Sequence, residues 1–131
     1  MVKIIIFFLF LNISVFTQTG EPKFNQKDFL YIKPMGKTIS NIDDLFSKKE
    51  ITLKFLATWC LKCRKEVKEK QLKKEEFIYI FGNYGNETEE SILNFLSENP
   101  QVYPAYFDSD NYLYKKYNVT KVPTAIILKN Y

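Results

Sequence analysis

Two cysteines, Cys60 and Cys63, lie at the junction of two contrasting segments, and this position limits the folds open to the chain. Residues 51–57 before them form a compact apolar run of the length of a buried strand. Residues 64–76 after them are mostly charged and contain no Gly or Pro, which favours a helix. The sequence therefore places a Cys-x-x-Cys pair where a buried strand passes into a helix.

The rest of the chain repeats this alternation of strand and helix. The other predicted strands are residues 77–81, 103–107 and 124–128. Apolar side chains recur at helical spacing over residues 92–96, and we expect this helix to begin at Asn86, a capping residue with an acid three positions later. A further helical turn is predicted to be capped within residues 108–110. Strands that alternate with helices predict an α/β sheet built from βαβ units.

The composition indicates one folded domain and excludes several kinds of site. With 131 residues, 46% of them hydrophobic and 17% aromatic, the chain has enough apolar surface for a packed core. Its net charge of +4 is too mild to indicate a nucleic-acid partner, because such proteins cluster basic residues on one face. The absence of histidine excludes a Ser-His-Asp triad, a Cys-His protease pair and a His-ligated metal site.

We predict no metal and no cofactor. Two thiols fall short of the roughly four ligands that a zinc site requires and of the cysteines that iron–sulfur clusters require. Covalent haem attachment needs a histidine directly after the second cysteine, where this chain has Arg64. Zinc shared between two copies of the chain is the alternative left open.

Residues 1–19 have the pattern of a secretory signal peptide. One basic residue, Lys3, precedes an almost wholly apolar run over residues 4–16, which is shorter than the roughly 20 residues that span a bilayer as a helix. An uncleaved membrane anchor and a buried N-terminal strand are the alternatives. We expect an exported protein of the periplasm or cell envelope, with an N-terminal extension over residues 20–38 and a folded domain over residues 39–131.

The spacing and position of the cysteines favour redox chemistry. A disulfide across two intervening residues closes so small a loop that it constrains the unfolded chain very little. A helix N-terminus carries partial positive charge, and Lys62 and Arg64 add more, so the thiolate is favoured over the thiol. Because the thiolate is the attacking species, we assign Cys60 as the nucleophile and Cys63 as the resolving thiol. A purely structural bridge is the alternative.

Residues 55–66, Phe-Leu-Ala-Thr-Trp-Cys-Leu-Lys-Cys-Arg-Lys-Glu, resemble the active-site segment of the thioredoxin superfamily. The Ala-Thr-Trp-Cys start and Glu66, three residues past the second cysteine, are similar to the exported TlpA/ResA branch, as are residues 103–108 and 117–124. The resemblance covers residues 39–128. It implies a thioredoxin-like α/β fold, with a central mixed sheet flanked by helices, and the activity of a thiol–disulfide oxidoreductase.

The resemblance also implies roles for four further residues. Pro123 would be a cis-proline that faces the cysteine pair, and Val122 would offer its backbone to an extended substrate segment. Glu66 would accept a proton or modulate the thiol pKa, unless it is an ordinary exposed acid paired with a lysine four positions away. Trp59 either shields the cysteines or packs at the edge of the domain.

The implied partners are protein thiols and disulfides of the cell envelope, with a membrane donor of reducing thiols. Apocytochromes c during haem attachment and misoxidised exported proteins are the candidate substrates. The branch tends to reduce its substrates, whereas Lys62 would make the pair more oxidising, so the direction of exchange stays open.

Two other functions also stay open. One is a non-catalytic thioredoxin-like binding module with a structural disulfide. The other is a thiol peroxidase, which is disfavoured because Leu53 and Ala57 occupy the positions where peroxiredoxins carry Pro and Thr or Ser.

Two departures from the family pattern lead to further expectations. Lys54 occupies the strand position where thioredoxins place an acid beneath the active site, and a buried lysine must be paired or neutral, or must extend to the protein edge. The sequence stops at Tyr131, without the last strand and helix of the family. We therefore expect Ile126 and Ile127 on an exposed apolar edge, and an isolated mature chain that is unstable or oligomeric.

Overall fold

The structure is a computed structural model, and it describes residues 23–36, 44, 46–70 and 77–130. The signal peptide predicted over residues 1–19 lies outside these ranges. Among the residues described, no helix combines the length and the apolar character needed to cross a bilayer.

Five strands in the described part of the chain form one mixed sheet. They are β1 (Lys33–Met35), β2 (Glu50–Leu56), β3 (Ile78–Gly82), β4 (Ala105–Asp108) and β5 (Thr124–Lys129). Their order is β1-β4-β3-β2-β5. The three central strands run parallel, whereas β1 is antiparallel to β4 and β5 is antiparallel to β2. The predicted mixed α/β sheet is confirmed, because each strand expected from the sequence is present within two residues of its expected start.

The helices pack on this sheet. They are α1 (Leu61–Lys70), α2 (Glu89–Glu98), α3 (Tyr112–Lys116) and a 3₁₀ helix (Gln26–Tyr31). The expected cap of α2 at Asn86 is wrong, because Thr88 is the capping residue. The Thr88 hydroxyl accepts from the Ser91 N–H at 3.0 Å, and the Ser91 hydroxyl accepts from the Thr88 N–H at 2.9 Å. This reciprocal pair satisfies donors that the first turn leaves unpaired, so Asn86 stays in the preceding loop.

Side chains of β2 divide between the two faces of the sheet, since successive residues of a strand point in opposite directions. Leu53 and Phe55 pack with Tyr114 of α3 on one face. Leu56 packs with Cys63 of α1 on the other face. Lys54 has the same strand parity as Leu56, so its side chain lies on the face that α1 covers.

The segment predicted as an N-terminal extension contributes to the same sheet through β1. Its 3₁₀ helix is tied to α3 by Asp28, which is 3% exposed. The Asp28 carboxylate accepts from the Lys116 ammonium at 2.6 Å and from the Tyr112 hydroxyl at 3.0 Å. A buried carboxylate is tolerated where it is paired in this way, so the contact holds the extension against the domain.

The N-cap position of α3 is Asn111, one residue beyond the predicted range, but the side chain that accepts the N–H groups of the first turn is that of Asp108, which is fully buried. Its carboxylate accepts the backbone N–H groups of Tyr112, Leu113 and Tyr114 at 2.8, 2.9 and 3.1 Å. Burial raises the pKa of Asp108, while the three N–H donors act in the opposite direction. The Tyr114 hydroxyl in turn donates to the Leu56 carbonyl at 3.0 Å. Asp108 therefore positions α3 against the end of β2, where the cysteine segment begins.

The strand β5 is the outermost described strand on its side of the sheet. Ile127 is 52% exposed, as expected. The expectation is wrong for Ile126, which is partly buried because it lies opposite Leu53 and points into the same core. The backbone N–H of Phe24 donates to the Lys129 carbonyl at 2.7 Å, so the chain near Phe24 covers one end of this strand. The instability or oligomerisation of the mature chain stays a prediction, which sedimentation of the chain from residue 20 onwards tests.

Buried tyrosines make the fold sensitive to alkali. Burial raises the pKa of Tyr106 to about 12, and burial together with the charge of Asp28 raises the pKa of Tyr117 to about 12. Because these folded-state pKa values exceed the ordinary tyrosine pKa of 10.0, unfolding releases protons at alkaline pH, and stability is expected to fall as pH rises from 10.0 to about 12. Phenolate absorbance of native and denatured protein measures this. Superimposable titration curves would contradict it.

Candidate redox site

The two cysteines lie at the junction of β2 and α1, as the sequence predicts. The turn that follows Leu56 is closed by the Cys60 N–H, which donates to the Ala57 carbonyl at 3.3 Å. Cys60 immediately precedes α1, and its sulfur accepts the backbone N–H of Cys63 at 3.0 Å. Cys60 therefore acts as the capping residue of α1. The unpaired donors and partial positive charge of a helix N-terminus favour negative charge on that sulfur.

The two cysteines differ in exposure. A disulfide joins them, with their Cα atoms 5.2 Å apart. Cys60 is 8% exposed, whereas Cys63 is fully buried at 0%. Only Cys60 therefore offers surface to a partner molecule. This is the difference that a nucleophilic and a resolving thiol require, since the resolving thiol has to reach only its neighbour.

The loop before β5 brings Val122 and Pro123 to the cysteines. The Val122–Pro123 peptide bond is cis, as the resemblance implied. The Val122 carbonyl oxygen lies 3.9 Å from the Cys60 sulfur. The Thr124 hydroxyl donates to the Lys121 carbonyl at 2.7 Å and closes the loop from the other side. A backbone acceptor is thus fixed next to the Cys60 sulfur.

Trp59 lies beside the cysteine pair and is 53% exposed. Its indole N–H donates to the Tyr84 carbonyl at 3.1 Å. With Tyr84, Tyr114 and Val122 it lines a largely apolar groove of about 430 Å³. The two roles considered for Trp59, shielding the cysteines and packing at the edge of the domain, stay predictions. The groove opens next to the carbonyl that faces Cys60.

Glu66 and Lys54 form an ion pair beneath α1. The Lys54 ammonium lies 2.5 Å from a Glu66 carboxylate oxygen, and their side chains are 10% and 24% exposed. Glu66 is therefore not simply an exposed acid paired along its own helix. Lys54 is buried and paired, one of the outcomes expected for it. Because Glu66 follows Cys63 by three positions on α1, the two side chains lie on the same side of that helix.

Replacing Glu66 with glutamine is expected to destabilise the fold more than replacing Lys54 with methionine. The first change leaves a nearly buried ammonium without a counter-charge, whereas the second leaves a carboxylate that water still reaches. Breaking a fully buried pair costs about 3–5 kcal/mol, so we expect about 2 kcal/mol for E66Q and less than about 1 kcal/mol for K54M. Urea unfolding measures both. Equal losses would contradict the asymmetry.

One residue of the site was missed by the sequence analysis. Glu87, 4% exposed, accepts hydrogen bonds from both the backbone N–H and the hydroxyl of Thr58, two positions before Cys60. In the sequence, Glu87 stands within Asn-Glu-Thr-Glu-Glu, a run that is typical of a solvent-exposed helix start. No local signal distinguishes it from the acids beside it. Only the packing of this loop against the cysteine turn identifies it.

Within the described ranges, no three Cys, Asp or Glu side chains converge to hold a metal ion.

Comparison with known proteins identifies the fold. No protein-family model matches the chain, and no curated protein matches it. The N-terminal domain of PilB from Neisseria gonorrhoeae is similar with a TM-score of 0.58 and 15% identity, over 75% of this chain and 71% of that one. StoA from Bacillus subtilis is similar with a TM-score of 0.54 and 22% identity, over 62% and 66% of the two chains. A conserved protein from Geobacillus kaustophilus is similar with a TM-score of 0.52 and 18% identity, over 73% of this chain and 60% of that one.

The PilB domain and StoA are thioredoxin-like, and the predicted thioredoxin-like fold is therefore confirmed. The chain spans about two thirds of the lengths of the three solved structures, from 60% to 71%. At identities of 15% to 22%, the similarity establishes the fold, and the chemistry has to be argued from the site itself.

Proposed function

We propose that this chain is a thiol–disulfide oxidoreductase that exchanges disulfides with exported proteins through Cys60 and Cys63. The position of Cys60 carries the proposal. Cys60 is 8% exposed, whereas Cys63 is fully buried, and the Cys60 sulfur caps α1 by accepting the Cys63 N–H at 3.0 Å and lies 3.9 Å from the Val122 carbonyl. These contacts supply a stabilised thiolate and a fixed backbone acceptor at the same point.

In the reducing direction the exchange proceeds in two displacements. The Cys60 thiolate attacks one sulfur of a substrate disulfide, forms a mixed disulfide and releases the other substrate sulfur as a thiolate. Cys63, deprotonated with Glu66 as the acceptor of its proton, then attacks the Cys60 sulfur and releases the second substrate thiolate. The substrate gains two electrons and the Cys60–Cys63 pair loses them. A donor dithiol reverses the second change and completes the cycle.

The partner is a protein segment in an extended conformation. The Val122 carbonyl is placed to accept a backbone N–H of such a segment beside its cysteine, as in strand addition. The apolar groove lined by Trp59 receives a neighbouring side chain. The signal-peptide pattern of residues 1–19 supports substrates and a thiol donor in the cell envelope, where disulfides persist.

Reduction of insulin by the mature chain, with dithiothreitol as donor, tests the activity. Catalysed turnover well above the rate with dithiothreitol alone is expected. A chain that stays folded, as judged by circular dichroism, but adds nothing to the background would point to the alternative of a binding module with a structural disulfide. Fractionation of cells that express the full chain tests export, and the protein is expected in the envelope or periplasmic fraction.

A further inference from the structure

Glu87 is a buried acid that the proposed exchange does not use. It lies in the loop between β3 and α2 and is 4% exposed. Its carboxylate accepts from the Thr58 N–H at 2.9 Å, from the Thr58 hydroxyl at 2.5 Å and from the Ser91 hydroxyl at 2.7 Å. All three donors are neutral groups, so they order the carboxylate without cancelling its charge.

Glu87 holds the turn that presents Cys60. Two polar groups of Thr58 are bound by Glu87, and the Thr58 carbonyl accepts from the Arg64 side chain at 2.8 Å. Glu87 therefore holds the N–H and the hydroxyl of Thr58, and Arg64 holds its carbonyl. Because the same turn closes through the Cys60 N–H and the Ala57 carbonyl, the position of the Cys60 sulfur depends on this anchor.

A second contact from the same loop reaches the next residue of the turn. Trp59 donates its indole N–H to the Tyr84 carbonyl at 3.1 Å. Gly85, with φ at +64°, lies beneath the indole, where an added Cβ would come within 3.0 Å of the ring nitrogen. The loop from Tyr84 to Glu87 thus contacts two successive residues of the turn.

The charges around Cys60 act in opposite directions. On α1, Lys62 and Arg64 favour a thiolate, and Lys121 lies in the loop that faces the cysteines. The Lys54 ammonium beneath the site is paired with Glu66. Against these cations stands the negative charge of Glu87, which is held against Thr58, the residue two positions before Cys60, in an interior where charges are poorly screened.

The negative charge of Glu87 also acts on the buried hydroxyl of Tyr114. Burial is the main cause that raises the pKa of the Tyr114 hydroxyl, and the charges of Asp108, Glu87 and the nearby phenol of Tyr84 raise it further.

We propose that Glu87 is a positioning residue that sets the reduction potential of the Cys60–Cys63 pair by ordering the turn and by opposing the Cys60 thiolate. A like charge disfavours an ionised group, and the thiolate belongs to the reduced form. Glu87 therefore stabilises the disulfide relative to the dithiol and makes the pair more reducing. This inference rests on the proposed function and assigns its direction, which is electron donation to substrate disulfides.

The decisive variant is Glu87→Gln, which removes the charge and keeps the shape. Its amide oxygen accepts the Thr58 N–H, and its amide nitrogen donates to the hydroxyls of Thr58 and Ser91. We expect the equilibrium with glutathione to shift about tenfold towards the dithiol, which raises the midpoint by about 30 mV. The pH profile of Cys60 alkylation by iodoacetamide is expected to move to lower pH. Glu90→Gln, which removes an exposed acid of the same helix start, is the matched control and is expected to change neither.

One further variant separates the effect of the charge from that of stability. Glu87→Asp keeps the charge, so the redox midpoint of its Cys60–Cys63 pair is expected to equal that of the wild type. This holds even where the shorter side chain lowers the midpoint of unfolding. A redox midpoint that changes with the stability of the variant and not with its charge would overturn the inference. So would a Glu87→Gln chain whose redox midpoint and alkylation profile equal those of the wild type and of Glu90→Gln. If the wild type reduces no protein disulfide while Glu87→Gln still shifts the alkylation profile, the inference stands and the proposed function fails.

Discussion

Replacing Cys60 with serine is expected to abolish disulfide exchange, whereas replacing Cys63 with serine is expected to trap its intermediate. Cys60 is the sulfur that a partner reaches, and Cys63 is fully buried behind it. Loss of the nucleophile removes the first displacement, and we expect the rate of insulin reduction to fall on the order of a thousandfold or more, to background. Without the resolving thiol, the first displacement still occurs, and the mixed disulfide accumulates on Cys60.

Non-reducing electrophoresis measures the second part of this expectation. C63S is expected to give a covalent adduct with an exported protein substrate that dithiothreitol releases, and C60S is expected to give none. Leu61→Ser is the matched control, because it places a serine between the cysteines at a side chain that is 75% exposed. Adducts formed equally well by both cysteine variants would contradict the assignment of the two roles.

Replacing Asp108 with alanine is expected to cost a large part of the stability of the fold. The Asp108 carboxylate is fully buried and accepts three backbone N–H groups at the start of α3. Each buried donor left unpaired costs about 1–3 kcal/mol, and entry of water offsets part of this. We expect a loss of about 3–5 kcal/mol in the free energy of unfolding, against a total of about 5–15 kcal/mol for a typical domain.

Urea unfolding followed by circular dichroism tests this expectation. Asp108→Asn keeps one acceptor oxygen for some of the three backbone N–H groups. Its free energy of unfolding is expected to lie between those of the wild type and D108A. Asp110→Ala removes an exposed carboxylate from the same loop and is expected to stay within about 0.5 kcal/mol of wild type. Equal unfolding midpoints for D108A and D110A would show that the buried hydrogen bonds do not hold α3.

The fold followed from the sequence because its signals are local. The apolar run before Cys60 becomes β2, and the charged run after Cys63 lies in α1 as far as Lys70, while residues 71–76 of that run lie outside the described residues. The start of α2 was placed wrongly, since several polar residues in succession are competent caps and the reciprocal bonds of Thr88 and Ser91 decide between them.

The site could be predicted from the sequence only in part, because its remaining contacts join residues that are distant in the chain. The sequence indicated Cys60, Cys63 and the cis bond at Pro123. For Lys54 the sequence allowed a paired, a neutral or an edge-reaching side chain. Only the packing of α1 over β2 brings Glu66 to the Lys54 ammonium. The contact between Thr58 and a carboxylate in the β3–α2 loop, 29 positions away, has no sequence pattern at all.

The midpoint potential of the Cys60–Cys63 pair tests the central claim most directly. It is measured by thiol trapping of the mature chain in graded glutathione buffers. We predict a reversible two-electron transition within the range of thioredoxin-like catalysts, about −270 to −120 mV, towards its reducing end. A pair that never titrates, or a bridge that stays closed below about −300 mV, would contradict the account and leave a disulfide with a structural role.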